Sequence, residues 1–190
     1  MLVLGISSSP RQKGFTTLLL NESLAGAISA GAKTDKLILN DLRIVPCQEC
    51  WQCSDNSSCP QTDDMRVVYD KVGKADAIII ASPVYFTTVS AQLKLMVDRF
   101  NSVWAPRHRN KKIRLPARVK TGAFICVAGE NKAEYFRNSR SVVKAFFGTA
   151  GIRYSKELFV GGTDRLTVNS STIKWALSKA YQLGISLGKK

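Results

Sequence analysis

Five short apolar runs alternate with helical patterns along this chain of 190 residues, and the alternation constrains the fold more than any other feature. The runs occupy residues 2–6, 36–39, 76–81, 122–128 and 157–162. Each run is apolar at nearly every position, which is typical of a strand buried on both faces and therefore of a parallel sheet between two layers of helices. Right-handed crossovers between such strands predict a doubly wound α/β fold.

The number of strands and the helices between them indicate a more specific architecture. Five strands joined by helices fit the flavodoxin-like order 2-1-3-4-5. Thr62 and Ser90 are predicted N-caps, residues 134–148 a further helix, and the last helix is predicted to begin near Asn169 or Ser171. The first helix is predicted to turn four apolar side chains inward: Leu20, Leu24, Ala27 and Ile28.

A single domain is expected from the length of the chain. It is predicted to span residues 1–190, with a cysteine-rich loop at 47–59 after strand two and a basic insertion at about 102–120. No apolar run approaches the roughly 18 residues that span a bilayer, so no membrane association is expected. The N-terminal sequence lacks the basic region of a secretory signal, which predicts a cytoplasmic location.

The net charge of +14 raises the question of an acidic partner. Residues 107–120, RHRNKKIRLPARVK, hold seven Lys and Arg residues and no acidic residue. The stretch is interpreted either as a solvated loop or as a docking patch. Nucleic-acid binding calls for basic strands interleaved with aromatic residues or for a recognition helix. The chain shows neither feature. A basic nucleic-acid-binding protein, in which the cysteine-rich loop at 47–59 binds a metal, is therefore kept only as an alternative.

The loop after the first strand has the composition of an anion-binding turn. Residues 7–17, SSSPRQKGFTT, combine five hydroxyl side chains with a glycine and the start of a helix. Hydroxyls, backbone N–H groups and a helix N-terminus can together cradle a phosphate, with Arg11 or Lys13 adding charge. The loop matches neither a Walker A motif nor a G-x-G-x-x-G fingerprint. An ordinary capped turn is the alternative.

The loop after the third strand brings aromatic side chains to the same edge of the predicted sheet. It reads SPVYFTTVSAQLK at residues 82–94, and Tyr85 and Phe86 follow Pro83 and Val84. Ligands of open α/β sheets bind at the carboxyl ends of the strands where the strand order reverses. Aromatic residues beside a phosphate cradle suit a planar heterocycle. The alternative is that Tyr85 and Phe86 cover the next helix.

Four of the five cysteines lie within thirteen positions, in the spacing C-x2-C-x2-C-x5-C. Thiolates at successive three-residue steps can wrap several corners of a cubane, which favours one [4Fe–4S] cluster. Zinc sites usually pair two C-x2-C knuckles a dozen or more residues apart, and disulfides are rare in the cytosol. Both remain alternatives. The four predicted ligands are Cys47, Cys50, Cys53 and Cys59.

The motifs together carry a resemblance to a known family. GISSSPRxxGxTT, SPVYF followed by VSAQLK, and the cysteine loop between them resemble the NADPH-dependent FMN reductase superfamily, and within it the iron–sulfur flavoproteins. The resemblance implies that FMN binds this sheet edge. Its phosphate would be held by Ser7, Ser9, Arg11, Thr16 and Thr17. Its ring and ribityl chain would be bordered by Pro83, Val84, Tyr85 and Phe86, and closed on the other side by Ala128, Gly129 and Glu130.

The implied function is electron transfer. A one-electron carrier, ferredoxin or a similar acidic protein, is expected to reduce the cluster, which passes electrons to FMN and on to an acceptor. The resemblance also implies a homo-oligomer, a dimer or a tetramer, and the residues point to no catalytic acid or base. The alternative enzyme is an NAD(P)H-dependent flavin or quinone reductase in which the metal loop is structural.

Overall fold

A parallel β-sheet with helices on both faces forms the scaffold. The computed structural model describes residues 1–56, 58–110 and 120–189, and only the backbone of residue 56. The strands are β1 Leu2–Ser7, β2 Lys33–Ile38, β3 Ala77–Tyr85, β4 Thr88–Val89, β5 Lys120–Val127 and β6 Ile152–Val160. The helices are α1 Phe15–Ser29, α2 Cys53–Asn56, α3 Met65–Lys74, α4 Ala91–Arg99, α5 Asn101–Arg109, α6 Ala133–Ala150 and α7 Ser171–Gly188. Two 3₁₀ turns cover Leu39–Asp41 and Thr163–Arg165.

The strand order confirms a flavodoxin-like α/β sheet and corrects its details. Among the described residues the sheet has six strands in the order β2-β1-β3-β5-β6, with β4 beside β3. The prediction of five strands in the order 2-1-3-4-5 is wrong as stated, because it lacks the two-residue strand β4. With β4 set aside, the remaining five strands are parallel, and their spatial order in the sheet is the predicted one.

Strand β4 exists because the chain reverses tightly after β3. Tyr85 pairs with Thr88, so only Phe86 and Thr87 form the turn. Their φ angles are 43° and 70°, and left-handed conformations at both central residues are typical of a type I′ hairpin. This turn usually contains Asn, Asp or Gly. The Phe-Thr pair carries none of these signals, and a β-branched residue such as Thr87 rarely has a positive φ.

The two faces of the sheet form separate hydrophobic clusters. Ile78 and Ile80 lie in the cluster with α3, α4 and α6, whereas Ile79 lies in the cluster with α1 and α7. Consecutive side chains of β3 thus enter opposite cores, as expected for a strand buried on both faces. Within the described ranges, no helix is long and apolar enough to cross a bilayer.

Several predicted boundaries change. Ser90 is confirmed as an N-cap, since its hydroxyl accepts the Leu93 N–H at 3.4 Å. Thr62 is not a cap, because α3 begins at Met65, whose N–H donates to Asp63. The last helix is capped by Ser170, between the two predicted positions. β2 begins three residues before the predicted run 36–39 and ends one residue before the end of that run, and β6 begins five residues before 157. Ile28 faces solvent with 57% of its surface exposed.

The contact between α1 and α7 predicts a large cost for a single added methyl group. A Cβ on Gly184 would lie 1.8 Å from the Ser23 carbonyl oxygen, so the helix backbones pack directly against each other. Gly184→Ala should lower the free energy of unfolding by about 1–3 kcal/mol in urea titrations. Gly148→Ala is the control, because a Cβ there meets no atom within 4 Å and α6 should gain about 0.5–1 kcal/mol. Equal effects would contradict this packing.

Candidate functional site

The loop after β1 is closed by hydrogen bonds that leave the start of α1 open. The Arg11 carbonyl accepts the Gly14 N–H and the Thr17 hydroxyl, each at 3.1 Å. The Arg11 N–H donates to the Ser9 hydroxyl at 3.2 Å. Helix α1 begins at Phe15, and no described side chain caps it. Its first N–H groups can therefore donate to an anion, which the helix dipole also favours.

A cavity of about 560 Å³ extends from this helix end across the carboxyl edge of the sheet. Its size is that of a small-molecule or cofactor site. The predicted cofactor-binding residues that line it are Ser9, Arg11, Thr16, Pro83, Val84, Tyr85 and Gly129. The structure thus brings together residues from the loops after β1 and β5 and from the end of β3, which are far apart in sequence.

Five predicted residues lie outside the cavity lining. Ser7 and Ala128 are 1% exposed at the ends of β1 and β5, and Thr17 is occupied by its bond to the loop carbonyl. Phe86 is 99% exposed at the hairpin turn. Glu130 is solvent-exposed and pairs with Lys132 at 2.7 Å, which lowers the pKa of the Glu130 carboxyl. These positions support or flank the cavity rather than line it.

The loop after β6 contributes a wall that the sequence analysis missed. Thr163, Asp164 and Val168 line the cavity. The Thr163 N–H and hydroxyl both donate to the Ala128 carbonyl, at 3.1 and 3.0 Å, which ties this loop to the loop after β5. A Cβ on Gly129 would lie 2.3 Å from the Asp164 carboxylate. The sequence contained a signal for this wall, because Thr163 and Asp164 directly follow the fifth apolar run at the same sheet edge.

The four cysteines of residues 47–59 surround one small cavity. Cys47, Cys50, Cys53 and Cys59 all line it, and all are free thiols. Glu49 and Trp51 have φ angles of 51° and 59°, so left-handed residues shape the loop between the first three cysteines. Among the described side chains, no group of three or more His, Cys, Asp or Glu is close enough to hold a single metal ion.

The cysteines of this loop differ in how deeply they are buried, and burial affects the pKa of their thiols. Cys53 is buried at the start of α2, whereas Cys50 is exposed. Burial raises the pKa of the Cys53 thiol, and the neighbouring cysteines raise it further. The reason is that several thiolates in one loop repel each other unless a positive centre lies between them. Cys126 is separate from the loop: burial in β5 raises the pKa of its thiol to about 12.

A buried arginine joins the two ends of the cysteine loop. Arg99, at the end of α4, is 1% exposed and donates to the Val45 carbonyl at 2.7 Å. It forms an ion pair with Asp63 and donates to the Cys59 sulfur at 3.4 Å. Burial, the largest single cause, raises the pKa of Asp63, but the Arg99 interaction and the backbone N–H groups of Val45 and Met65 together outweigh it, so the pKa is lowered overall.

The match to known proteins covers most of the chain. Residues 1–151 match the family described as NADPH-dependent FMN reductase. The chain belongs to this family. The resemblance stated from the motifs is therefore confirmed, and the candidate cavity lies at residues that fall largely within the matched region.

Curated relatives place the chain among proteins named iron–sulfur flavoproteins. One from Methanosarcina thermophila is 34% identical over 142 residues, which cover 75% of this chain and 71% of that protein. Another from Methanocaldococcus jannaschii is 46% identical over 99 residues, 52% of this chain and 51% of that protein. This family member thus spans about half the length of the second relative that it matches.

Solved structures agree on the fold. The NAD(P)H:quinone oxidoreductase from Methanothermobacter marburgensis superposes with a TM-score of 0.73 over 98% of both chains, at 19% identity. The azoreductase AzrA superposes with a TM-score of 0.72 over 98% of this chain and 100% of its own, at 15% identity. At these identities the likeness shows a shared fold.

Proposed function

We propose that this family member is an iron–sulfur flavoprotein that carries electrons from a one-electron donor through a [4Fe–4S] cluster to FMN and on to an acceptor. The observation that carries the proposal is the coincidence, in one chain, of four free thiols around one cavity and a separate anion cradle at the sheet edge. The names of the curated relatives support the same pairing of groups.

The residues around the cavity at the carboxyl edge of the sheet fit FMN. The open N-terminus of α1, with Ser9, Arg11 and Thr16, offers N–H, hydroxyl and guanidinium donors to a phosphate. Tyr85 and the neighbouring apolar residues of β3 offer a surface to a flat ring. Ser7, Thr17 and Ala128 are buried behind this lining. We propose that they contribute to FMN binding indirectly, by holding the backbone of the lining loops in place. On this proposal residues 1–190 form one FMN-binding domain.

The cysteine loop fits a cluster by its donor set. Four thiols of one small cavity match the all-cysteine ligation of [4Fe–4S] clusters. Arg99 adds two further features: a bond to the Cys59 sulfur, and an Nε that is buried with no partner among the described residues. A buried donor without a partner is costly, and a cluster sulfide would supply the missing acceptor.

The roles of the two groups follow from these residues. When bound, the cluster supplies one-electron transfer and FMN supplies both one- and two-electron transfer. The cysteine side chains hold the cluster, and Arg11 and the start of α1 hold the flavin phosphate. Asp164 is the carboxylate of the cavity lining, where it can orient a polar edge of the ring or hold a proton.

The position of the cysteine loop supports an oligomer. The loop follows β2, an edge strand of the sheet, whereas the candidate flavin cavity extends from the loop after β1 to the loop after β6, on the other side of β1. We propose that a homo-oligomer, a dimer or a tetramer, brings the cluster of one subunit close to the flavin of another. Analytical ultracentrifugation of the protein that carries its cofactors tests this, and a monomer would contradict it.

The basic last turn of α5 lies beside the cysteine loop and supports an acidic donor such as ferredoxin. Arg109 donates to Asp55 at 2.6 Å and to Ser54 at 3.1 Å, so α5 lies against the helix that begins at Cys53. Arg107 is instead part of the fold, since it donates to the Val103 and Thr149 carbonyls. Residues 111–119, most of the basic stretch, lie outside the described residues. Opposite charge would steer the donor toward the cluster.

The donor can be identified by anaerobic stopped-flow kinetics. Reduced ferredoxin should reduce the protein faster than NADPH, and the rate should fall with ionic strength. Arg109→Gln should slow the reaction several-fold, whereas Lys174→Gln, on α7 at the opposite face, should not. Faster reduction by NADPH would favour the flavin or quinone reductase, to which the family description also points. Tight, salt-dependent nucleic-acid binding would favour the third function considered.

The phosphate cradle predicts a modest effect for one hydroxyl. Thr16 lines the cavity in the first turn of α1, so Thr16→Ala should weaken FMN binding by about 1 kcal/mol, the usual worth of one neutral hydrogen bond. Fluorescence titration of the apoprotein with FMN measures the change. Riboflavin, which lacks the phosphate, serves as the control ligand and should bind wild type and variant equally. Unchanged FMN affinity would mean that the phosphate lies elsewhere.

A further inference from the structure

We propose that Arg99 raises the reduction potential of the iron–sulfur cluster by donating a hydrogen bond to the sulfur of its ligand Cys59. The inference rests on the proposed function, since it assumes a cluster on the four cysteines. Arg99 does not touch the flavin cavity and would transfer no electron itself. It would act through Cys59, as a residue that positions and polarises the ligand.

The burial of Arg99 needs an explanation. It is the largest side chain in the described structure with less than 2% exposure. A guanidinium loses strong hydration when it is buried, so its N–H groups need acceptors that compensate. Asp63 supplies a counter-charge and Val45 a carbonyl oxygen. These two partners leave part of the guanidinium facing the cysteine cavity.

The rest of the Arg99 guanidinium faces the cysteines. Its Nη2 lies 3.4 Å from the Cys59 sulfur, within hydrogen-bond range for sulfur. Its Nε has no partner among the described residues, and Arg99 lines the same small cavity as the cysteines. A charged donor is thus held rigidly against one ligand and beside the space for the group itself.

The effect on potential follows from charge. Reduction adds one electron to the cluster and oxidises the donor protein by one electron, with no bond formed or broken and no proton required. The added negative charge spreads onto the ligand sulfurs, where an N–H donor interacts more strongly with the reduced than with the oxidised form. Because the contact is buried, solvent screens it little. The reduced state is therefore favoured.

Asp63 makes the inference separable from a purely structural role. Its carboxylate accepts the Val45 N–H at 2.8 Å as well as the Arg99 bonds, so the pair also fastens both ends of the cysteine loop. A fastening role predicts lost iron or lost stability when either partner changes. An electrostatic role predicts opposite changes in potential, because one substitution removes a positive charge and the other a negative charge.

The test is a potentiometric titration of the cluster followed by EPR, with iron content measured on the same samples. Arg99→Gln should lower the ratio of reduced to oxidised cluster at a fixed potential by about tenfold, which for a one-electron couple is about 59 mV. Asp63→Asn should shift the midpoint in the opposite direction. Lys94→Gln, which removes an exposed positive charge from the same helix, should leave it unchanged.

The outcomes separate the two proposals. A wild-type protein without a cluster would overturn the proposed function and this inference with it. A wild-type cluster whose midpoint is the same in Arg99→Gln and Asp63→Asn, or shifts in one direction in both, would overturn the inference alone. If Arg99→Gln fails to keep its iron, the sign of the shift in Asp63→Asn decides.

Discussion

Cys50→Ser, purified without oxygen, is expected to keep FMN and to lose the cluster completely. Cys50 is the second of four thiols around the cysteine cavity, and a serine hydroxyl is a poor substitute for a soft thiolate ligand of iron. The flavin cavity has no residue in common with the cysteine cavity. Iron and sulfide assays together with the flavin absorbance measure both groups in one sample.

The control for Cys50→Ser removes a thiol outside the loop. Cys126 is fully buried in β5, so Cys126→Ala should retain both iron and FMN, with at most a small loss of stability from the missing sulfur. Loss of FMN together with iron in Cys50→Ser would show that the two sites are not independent. Retention of iron in Cys50→Ser would remove Cys50 from the ligand set.

Gly129→Ala is expected to weaken FMN binding at least tenfold, or about 1.4 kcal/mol. The new Cβ would lie 2.3 Å from the Asp164 carboxylate, far inside van der Waals contact, and both residues line the cavity. Either Asp164 or the loop after β5 must move, and the space for the ring changes. Titration of apoprotein with FMN measures the loss.

A second substitution tests the cause of that loss. Asp164→Ala removes the carboxylate against which the new methyl group collides, so the double variant Gly129→Ala with Asp164→Ala should bind FMN about as well as Asp164→Ala alone. Such coupling is expected only for residues in direct contact. Independent, additive losses would mean that Gly129 matters for another reason.

Local patterns predict the centre of the sheet because β1, β3 and β5 are buried on both faces. Residues 77–81 are apolar throughout, and the structure places them in the centre of the sheet between two cores. The β4 hairpin escapes such reasoning, since Phe86 and Thr87 are held in left-handed conformations by the strands that flank them. Tertiary pairing overrides local preference there.

The candidate sites divide in the same way. Ser9, Thr16 and Tyr85 could be predicted because they lie at or just after the carboxyl ends of strands that meet at one sheet edge. Arg99 could not, because an arginine at the end of an amphipathic helix is ordinarily solvent-exposed. Its burial depends on Asp63 and Cys59, 36 and 40 residues away in sequence. Contacts between residues so far apart produce no periodic pattern in the amino-acid sequence.

The central claim is that four thiols hold a cubane in a chain that also holds a flavin. Elemental analysis of anaerobically purified protein, with acid-labile sulfide and FMN measured on the same sample, tests it most directly. The account predicts about four iron and four sulfide atoms and one FMN per chain. One zinc ion per chain with no sulfide, or cysteines oxidised in pairs, would contradict it.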